Sequence, residues 1–362
     1  MTTNGQRRFT RALAAVVLVG AIAAAVLQGP GAVSDFTSAF THLRAARLPW
    51  VGAAVGAEFV SFVFYSLVQD ALLRAGQTTL PLGVLLRLAI ASSGLRALLP
   101  AGAVPSSGWL YGEYRELGVP GPVALYGVLA SGFVSTVCIL GLLLVGAAVA
   151  NVAPVALLAS SSAVLVVGSA GFVAAVHRLE RFPHLAEGRT GRLARLARRL
   201  IAVATQVSHV RVGWGRGTRS FLAATGNWCA DLVCLVGAFA LLDVSLPWRG
   251  LLYAYCASQL AGSIVPLPGG LGAVEGGLVG AFAATGLPAG EGLAVAVVYR
   301  VITYWGVALI GGIELVALAR RPLRTPRAPQ SSAADARADE TMGRSRRHDA
   351  GRGRPTSGKM KQ

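Results

Sequence analysis

Two short stretches decide the fold: Leu99-Pro-Ala-Gly-Ala-Val-Pro105 and Val265-Pro-Leu-Pro-Gly-Gly-Leu-Gly272. Each interrupts an apolar region, because proline lacks the backbone N–H that continues a helix and its ring clashes with the preceding turn. Broken backbone at membrane depth is tolerated only where it is buried in protein or lines a cavity. The two stretches therefore predict broken helices instead of simple membrane spans.

The two stretches also match each other without a gap at an offset of 168 residues. The identical positions are Leu99, Pro100, Gly102, Gly108, Leu110, Gly112, Gly118 and Pro120, which align with Leu267, Pro268, Gly270, Gly276, Leu278, Gly280, Gly286 and Pro288. The same offset lays segment 50–68 onto 218–236 and segment 123–150 onto 291–318. This agreement predicts an internal repeat with halves at about 50–150 and 218–318.

Most of the remaining sequence is apolar. Of the 362 residues, 54% are hydrophobic and 14% are charged, against roughly 25% charged in a soluble domain. A hydrocarbon core about 30 Å thick needs roughly 20 apolar residues in a helix. Six segments are predicted as full spans: Leu13–Leu27, Trp50–Val68, Val123–Ala150, Val155–Val176, Phe221–Leu242 and Leu293–Ala319. The sequence thus predicts an all-α polytopic membrane protein over residues 1–319.

The net charge of +17 is concentrated in three places. Residues 1–11 carry +3, residues 177–221 carry +8 and residues 319–362 carry +8. Arg and Lys accumulate in cytoplasmic loops, so this distribution predicts a plasma (inner) membrane protein with cytoplasmic termini and a cytoplasmic loop at 177–221. No nucleic-acid-binding module accompanies the charge. We expect the basic loop and tail to contact the anionic cytoplasmic leaflet, and no nucleic acid.

Three further segments are interpreted from composition. Residues 320–362 are rich in Arg, Ser, Gly and Pro and lack apolar periodicity, which predicts a disordered basic tail. Leucines at helical spacing beside arginines at 189–201 predict a helix lying in the membrane interface, with a solvated connector helix as the alternative. We interpret Leu13–Leu27 as an uncleaved helix instead of a secretory signal peptide, because further membrane segments follow it.

The span count places each broken region on one side of the membrane. Region 82–118 must enter and leave on the cytoplasmic side, and region 250–288 on the outer side. Each is either a re-entrant hairpin or a full helix pair, and the Pro/Gly breaks favour the hairpin. The two halves then form an inverted repeat, the architecture of many secondary transporters, in which the substrate binds near the midplane where broken helices meet.

Ionisable residues at membrane depth are functional candidates, because each costs roughly 2.5–3.5 kcal/mol to insert. An arginine near a broken helix suits a phosphate through its planar guanidinium. For Arg300, a neutralising pair with Glu275 is the alternative. The predicted substrate-binding residues are Arg96, Pro100, Gly102, Arg115, Pro268, Gly269, Gly270, Glu275, Arg300 and Tyr304. Glu58 and Asp231 also fall within spans, and the sequence suggests no partner for either.

The sequence contains no recognisable catalytic or metal-binding pattern. It has no P-loop, no H-E-x-x-H and no Ser-His-Asp arrangement in a credible context, and its five histidines lie in loops or tails. The cysteines at 138, 229, 234 and 256 lie in apolar segments, which predicts buried thiols instead of a disulfide framework or a zinc site. We therefore expect no cofactor and no metal.

One motif begins with the run Pro266-Leu-Pro-Gly-Gly-Leu-Gly-Ala-Val-Glu275 and continues with Gly286, Tyr299-Arg300 and Tyr304-Trp305. This motif resembles that of the lysylphosphatidylglycerol synthase transmembrane (flippase-like) domain family. Leu98-Leu-Pro100 and the Gly-rich stretch through Gly118 resemble the family's weaker first motif. The resemblance covers about residues 10–320. The family's Glu-Arg pair in the span after the first motif has no counterpart in this sequence.

The resemblance implies a function in lipid transport. Larger relatives join this membrane domain to a soluble domain that aminoacylates phosphatidylglycerol, and the membrane domain is implicated in moving the product between leaflets. Because residues 320–362 are too few and too polar for such a domain, we expect a flippase or transporter for an anionic or aminoacylated lipid, or a lipid-linked amphiphile, without synthesis. The alternatives are a membrane-embedded transferase acting on a lipid carrier and a scaffold for a partner lipid-modifying enzyme.

Overall fold

The computed structural model describes residues 48–179, 202–205, 210 and 213–320. The secondary structure of this part of the chain is helical throughout, without a strand. Five helices in it are long and apolar enough to cross a membrane: Pro49–Ala75, Gly121–Val149, Val155–Ala175, Trp214–Leu242 and Ala289–Arg320. The all-α polytopic membrane fold is therefore confirmed, and these helices overlap five of the six predicted spans. The sixth, Leu13–Leu27, lies outside the described residues, as do the predicted interfacial helix and the tail.

Ten α-helices are labelled here in chain order. They are α1 Leu48–Ala75, α2 Leu82–Leu98, α3 Ala103–Glu116, α4 Gly121–Val149, α5 Val155–Leu179, α6 Trp214–Leu242, α7 Trp248–Ile264, α8 Ala273–Ala284, α9 Ala289–Arg300 and α10 Val307–Arg320. A π-helical segment, Val301–Gly306, joins α9 to α10, and residues 202–205 form a short additional turn of helix.

Proline determines where several helices start and stop. Pro120 and Pro288 stand immediately before α4 and α9, with nearly the same backbone angles (φ −55° for both). Proline suits this position because its φ is already helical and its missing N–H would have no partner in the first turn. Conversely, α2 ends at Leu98, and Leu99 before Pro100 takes an extended conformation, as the clash with a following proline ring requires.

The offset of 168 residues seen in the sequence also relates backbone conformations. Ala101 and Gly269 occupy equivalent positions in the two breaks and have φ of 48° and 55°. Gly118 and Gly286 end the two broken regions and have φ of 84° and 88°. Such left-handed conformations are rare for residues other than glycine, so these two pairs of positions share an unusual conformation, whereas Gly270 has φ of 65° and its equivalent Gly102 has φ of −57°.

The first helices of the two halves, α1 and α6, pack along their length in opposite directions. Three contacts show this: Ala54 against Gly237, Ser61 against Asn227, and Asp70 beside Arg219. Residue numbers rise along α1 as they fall along α6, so the two helices are antiparallel. The two halves therefore begin with helices that run in opposite directions.

Each broken region packs against the last helix of the other half. On one side, α2 approaches α10 so closely that a Cβ added to Gly94 would lie 2.6 Å from the Cα of Gly311. On the other side, α7 approaches α4, where a Cβ on Gly146 would lie 2.7 Å from the backbone nitrogen of Tyr253. Small residues allow helices in membranes to pack at such short range, and these contacts hold the two halves together.

Helix α5 lies at the edge of the molecule. Its spanning segment Val155–Ala175 is not buried inside the protein, and apolar side chains such as Val155 and Val164 are largely exposed. A stacked pair of rings, Phe133 on α4 and Phe172 with centroids 5.1 Å apart, holds it against the rest of the fold. This helix borders the remaining helices without contributing to the site described next.

Candidate functional site

The two breaks contact each other directly. The backbone N–H of Ala101 in the first break donates a hydrogen bond to the carbonyl oxygen of Pro266 in the second, with N and O 3.3 Å apart. A Cβ added to Gly269 would lie 3.5 Å from the Cα of Ala97. The segments that the sequence marks as broken are therefore joined directly, although 165 residues separate Ala101 from Pro266.

A cavity of about 510 Å³ opens beside this junction. Its walls come from both breaks, from α1 and α6, and from the last helices of the second half. Six of the ten predicted site residues line it: Arg96, Gly102, Gly269, Gly270, Arg300 and Tyr304. A second cavity of about 300 Å³ lies alongside and shares Arg96, Trp228 and Gln259 with the first.

The other four predicted residues do not line this cavity. Pro100 and Pro268 form the backbone of the breaks themselves. Arg115 donates a hydrogen bond from Nη1 to the carbonyl oxygen of Val119 and thereby closes the turn after α3. Glu275 lies behind the cavity wall, where it contacts Arg300.

Arg300 and Glu275 form an ion pair, the alternative that the sequence left open. Arg300 Nε lies 2.7 Å from Glu275 Oε1, and the two side chains are 9% and 20% exposed. Arg300 Nη2 also donates to the carbonyl oxygen of Gly269 at 2.8 Å, and Glu275 Oε2 accepts from the N–H of Gly272 at 2.7 Å. Together these bonds fix the second break to the end of α9 and neutralise the charge of Arg300.

The π-helical segment that follows Arg300 positions Tyr304. The Arg300 guanidinium lies 4.5 Å from the centroid of the Tyr304 ring, a cation–π distance. The same ring fills the space that a side chain at Gly269 would need. Single π-helical turns inside α-helices are rare and are frequently found at functional sites.

Arg96 differs from Arg300 because its charge has no partner among the residues that the structure describes. It lies at the C-terminal end of α2, directly before the first break, and lines both cavities. It forms no hydrogen bond or ion pair with any residue in the described part of the chain, and its side chain is exposed to the cavity. Of the two arginines that line the larger cavity, Arg96 is thus the one whose guanidinium is available to a ligand.

A buried polar cluster centred on Asp231 forms another part of the wall. Asp231 Oδ2 accepts hydrogen bonds from the Tyr255 hydroxyl at 2.6 Å and from Gln259 Nε2 at 3.0 Å, and Oδ1 accepts from the Tyr299 hydroxyl at 2.9 Å. The carboxyl group of Glu58 lies beside that of Asp231. The sequence identified both acids as charges within spans but not their partners, which come from three other helices.

The rim of the larger cavity is apolar. Val104 at the start of α3 is 77% exposed and Ile264 at the end of α7 is 80% exposed, and both border the cavity together with Leu267. Burial of such side chains against hydrocarbon is favourable, whereas their exposure to water is not. The cavity therefore combines a charged interior with an apolar edge.

Metal binding and disulfide bonds find no support in the part of the chain that the structure describes. It contains no group of three His, Cys, Asp or Glu side chains that could hold a metal ion. All four cysteines are free thiols, and three of them are buried as predicted. The prediction of burial is wrong for Cys229, which is exposed.

Comparison with known proteins identifies similar sequences. The family described as the lysylphosphatidylglycerol synthase TM region matches residues 11–311. Two proteins of Methanothermobacter thermautotrophicus (strain Delta H), each named UPF0104 membrane protein, are 36% identical over 96 residues and 27% identical over 93 residues. Each alignment covers 26% of this chain and 27% or 28% of the relative, so the chain spans about a quarter of the length of these curated relatives.

Proposed function

We propose that this chain, which belongs to the lysylphosphatidylglycerol synthase TM region family, moves an anionic or aminoacylated lipid, or a lipid-linked amphiphile, between the leaflets of a membrane. The observation that carries this proposal is the cavity with its charged interior and apolar rim. A lipid needs both surfaces, because its headgroup is costly to place in hydrocarbon while its acyl chains are not. The rim allows the chains to remain in the bilayer while the headgroup crosses.

Arg96 is the proposed anchor for the headgroup phosphate. Its guanidinium presents a planar set of donors that matches phosphate oxygens in pairs. Because Arg300 is already bound to Glu275, Arg96 supplies the guanidinium that has no salt bridge within the described residues. An anionic headgroup entering the cavity would therefore find one charge-assisted partner at the junction of the two breaks.

We further propose that the two halves form an inverted repeat with re-entrant hairpins. The antiparallel packing of α1 and α6 supports opposite orientations of the halves. At 1.5 Å per residue, α3 is about 21 Å long and α8 about 18 Å long, so neither crosses a core of about 30 Å. Hairpins that enter from opposite sides and meet at their tips would present one site to both leaflets, as alternating access requires.

The orientation in the membrane is part of the same proposal. With residues 177–221 in the cytoplasm of a plasma membrane, the α2–α3 hairpin enters from the cytoplasm and the α7–α8 hairpin from the outer side. Both termini are then cytoplasmic, and the basic loop and tail lie against the anionic leaflet. Membrane lipids are thus both the proposed substrate and the proposed partners.

Lipid movement in reconstituted vesicles tests the proposal. Purified protein is placed in phosphatidylcholine vesicles with fluorophore-labelled phosphatidylglycerol, and a membrane-impermeant reductant bleaches the label in the outer leaflet. Wild-type protein should make the protected inner-leaflet label accessible. Arg96→Gln should slow this at least about tenfold, because a hydrogen bond to a charged group contributes about 1.5–3 kcal/mol.

The matched control is Arg249→Gln. Arg249 is an exposed arginine at the start of α7 that lines neither cavity described above, so its replacement should leave the rate unchanged. The assay is repeated with labelled phosphatidylethanolamine and labelled aminoacylated phosphatidylglycerol. If vesicles with wild-type protein behave like protein-free vesicles for all three labelled lipids, lipid movement is refuted. Equal rates for Arg96→Gln and wild type would refute Arg96 as the anchor.

A further inference from the structure

Two carboxyl groups from different helices meet in the wall of the cavity. Glu58 on α1 and Asp231 on α6 both line it, and they are close enough for a hydrogen bond between them. Asp231 accepts hydrogen bonds from two tyrosine hydroxyls and from Gln259. Donors in this number favour the ionised form of a carboxyl group, so Asp231 holds a negative charge more readily than Glu58 does.

The surroundings of Glu58 favour its neutral form. Its Oε2 atom is buried and receives no hydrogen bond from any residue that the structure describes. An ionised oxygen buried without a donor is strongly disfavoured, and two adjacent carboxylates in a medium of low dielectric constant repel each other. A proton on Glu58 resolves both problems, because it neutralises the group and is donated towards Asp231.

The charge balance of the cavity depends on this proton. The titratable and charged side chains around Glu58 and in the lining of its cavity come from α1, α2, α6, α7, α9 and the π-helical segment: Tyr65, Arg96, Asp231, Cys234, Tyr255, Tyr299, Arg300 and Tyr304. Helix α4 contributes Ser135 but no titratable group to this lining. Since Glu275 neutralises Arg300, the positive charge of Arg96 balances one carboxylate but not two.

We propose that Glu58 binds one proton together with the anionic headgroup and releases both together, so that lipid movement is coupled to protons. A proton from water on one side forms the carboxyl O–H bond, and that bond breaks when the proton returns to water on the other side. Without the proton, Glu58 and Asp231 together outweigh Arg96, and the net negative charge repels a phosphate. The coupling rests on the lipid movement proposed above.

The proton itself is tested without any lipid substrate. Infrared difference spectra of the purified protein between acidic and alkaline buffer report protonated carboxyl groups directly. Wild type should show a protonated-carboxyl band that disappears in Glu58→Gln and persists in Glu116→Gln. Glu116 is a matched control because it is an exposed glutamate at the end of α3 that lines neither of the two cavities.

The coupling is tested in the labelled-phosphatidylglycerol vesicles with a pH difference of one unit imposed across the membrane. If one proton accompanies one anionic lipid, wild type should enrich the label in the leaflet facing the alkaline side by up to about tenfold, since one pH unit is equivalent to a tenfold ratio. Glu58→Gln should leave the label evenly distributed, and Glu116→Gln should behave as wild type. In wild type and Glu116→Gln, but not in Glu58→Gln, an imposed asymmetry of the label should also change the pH inside the vesicles.

The outcomes separate the two proposals. Wild type that moves the label but shows neither enrichment nor a change of internal pH would overturn proton coupling and leave lipid movement intact. A protonated-carboxyl band that survives in Glu58→Gln would overturn the assignment of the proton to Glu58. Wild type that moves no label refutes movement of this lipid, and the infrared spectra then still decide whether Glu58 holds the proton.

Discussion

The Glu275–Arg300 ion pair is predicted to be a major source of stability for the second break. Glu275→Leu would leave the Arg300 guanidinium, 9% exposed, with the Gly269 carbonyl oxygen as its remaining acceptor. Removal of one partner of a buried ion pair costs about 3–5 kcal/mol. We therefore expect Glu275→Leu and Arg300→Met each to lower the free energy of unfolding by about that amount.

The double variant makes this prediction specific. With both charges removed, no charge is left without a partner. The double variant should therefore lower the free energy of unfolding by about 1–3 kcal/mol less than the sum of the two single variants. The assay is unfolding of the purified protein in mixed detergent micelles titrated with a denaturing detergent. Arg87→Met is a control, because Arg87 pairs with Glu314 but is 42% exposed, and a pair this exposed contributes at most about 1 kcal/mol. Additive costs, or single costs below about 1 kcal/mol, would refute the reasoning.

Two further predictions concern glycines in the same unfolding assay. Gly286→Ala should cost about 1–2 kcal/mol, because φ is 88° at this position and nothing lies within 4 Å of the added Cβ, so the backbone alone is strained. Gly280→Ala, equally open but helical, should cost nothing. Gly94→Ala should lower the free energy of unfolding by about 1–3 kcal/mol, because the added methyl group pushes α2 away from Gly311. Gly83→Ala is its control, because nothing lies near a Cβ at that position. Equal effects of a variant and its control, in either pair, would contradict the prediction.

Much of the fold follows from local rules that the sequence displays. Apolar length predicts the spans, and proline with glycine predicts the interruptions and helix ends. The repeat offset could be found because Gly118 and Gly286 are required at equivalent turns. Span ends were less predictable: α1 continues to Ala75 beyond the predicted end at Val68, and in this extension Asp70 is paired with Arg74 one helical turn later.

The candidate site could be predicted only in part. The sequence places charges near the breaks, but it does not determine which charge pairs with which. Arg300 pairs with Glu275, and Arg96 has no such pair within the described helices, because of how these helices pack in three dimensions. The donors to Asp231 come from α7 and α9, and no spacing rule relates residues on separate helices.

The π-helical segment Val301–Gly306 also escapes prediction. Its counterpart in the first half, at an offset of 168 residues, is 133–138, which lies within the regular helix α4. The difference arises where Tyr304 packs against Arg300 and Gly269. This is a tertiary contact that local helix propensity does not encode.

The most direct test of the central claim, that two hairpins enter the membrane from opposite sides, is the accessibility of single cysteines at the hairpin ends. In a background with the four native cysteines replaced, Thr79→Cys and Glu116→Cys flank the first hairpin, and Ser245→Cys and Ala289→Cys flank the second. With a membrane-impermeant thiol reagent, the second pair should react in intact cells and the first pair only after permeabilisation. If both pairs of cysteines react from the same side, or if the two ends of one hairpin react from different sides, the hairpins do not enter the membrane from opposite sides as proposed.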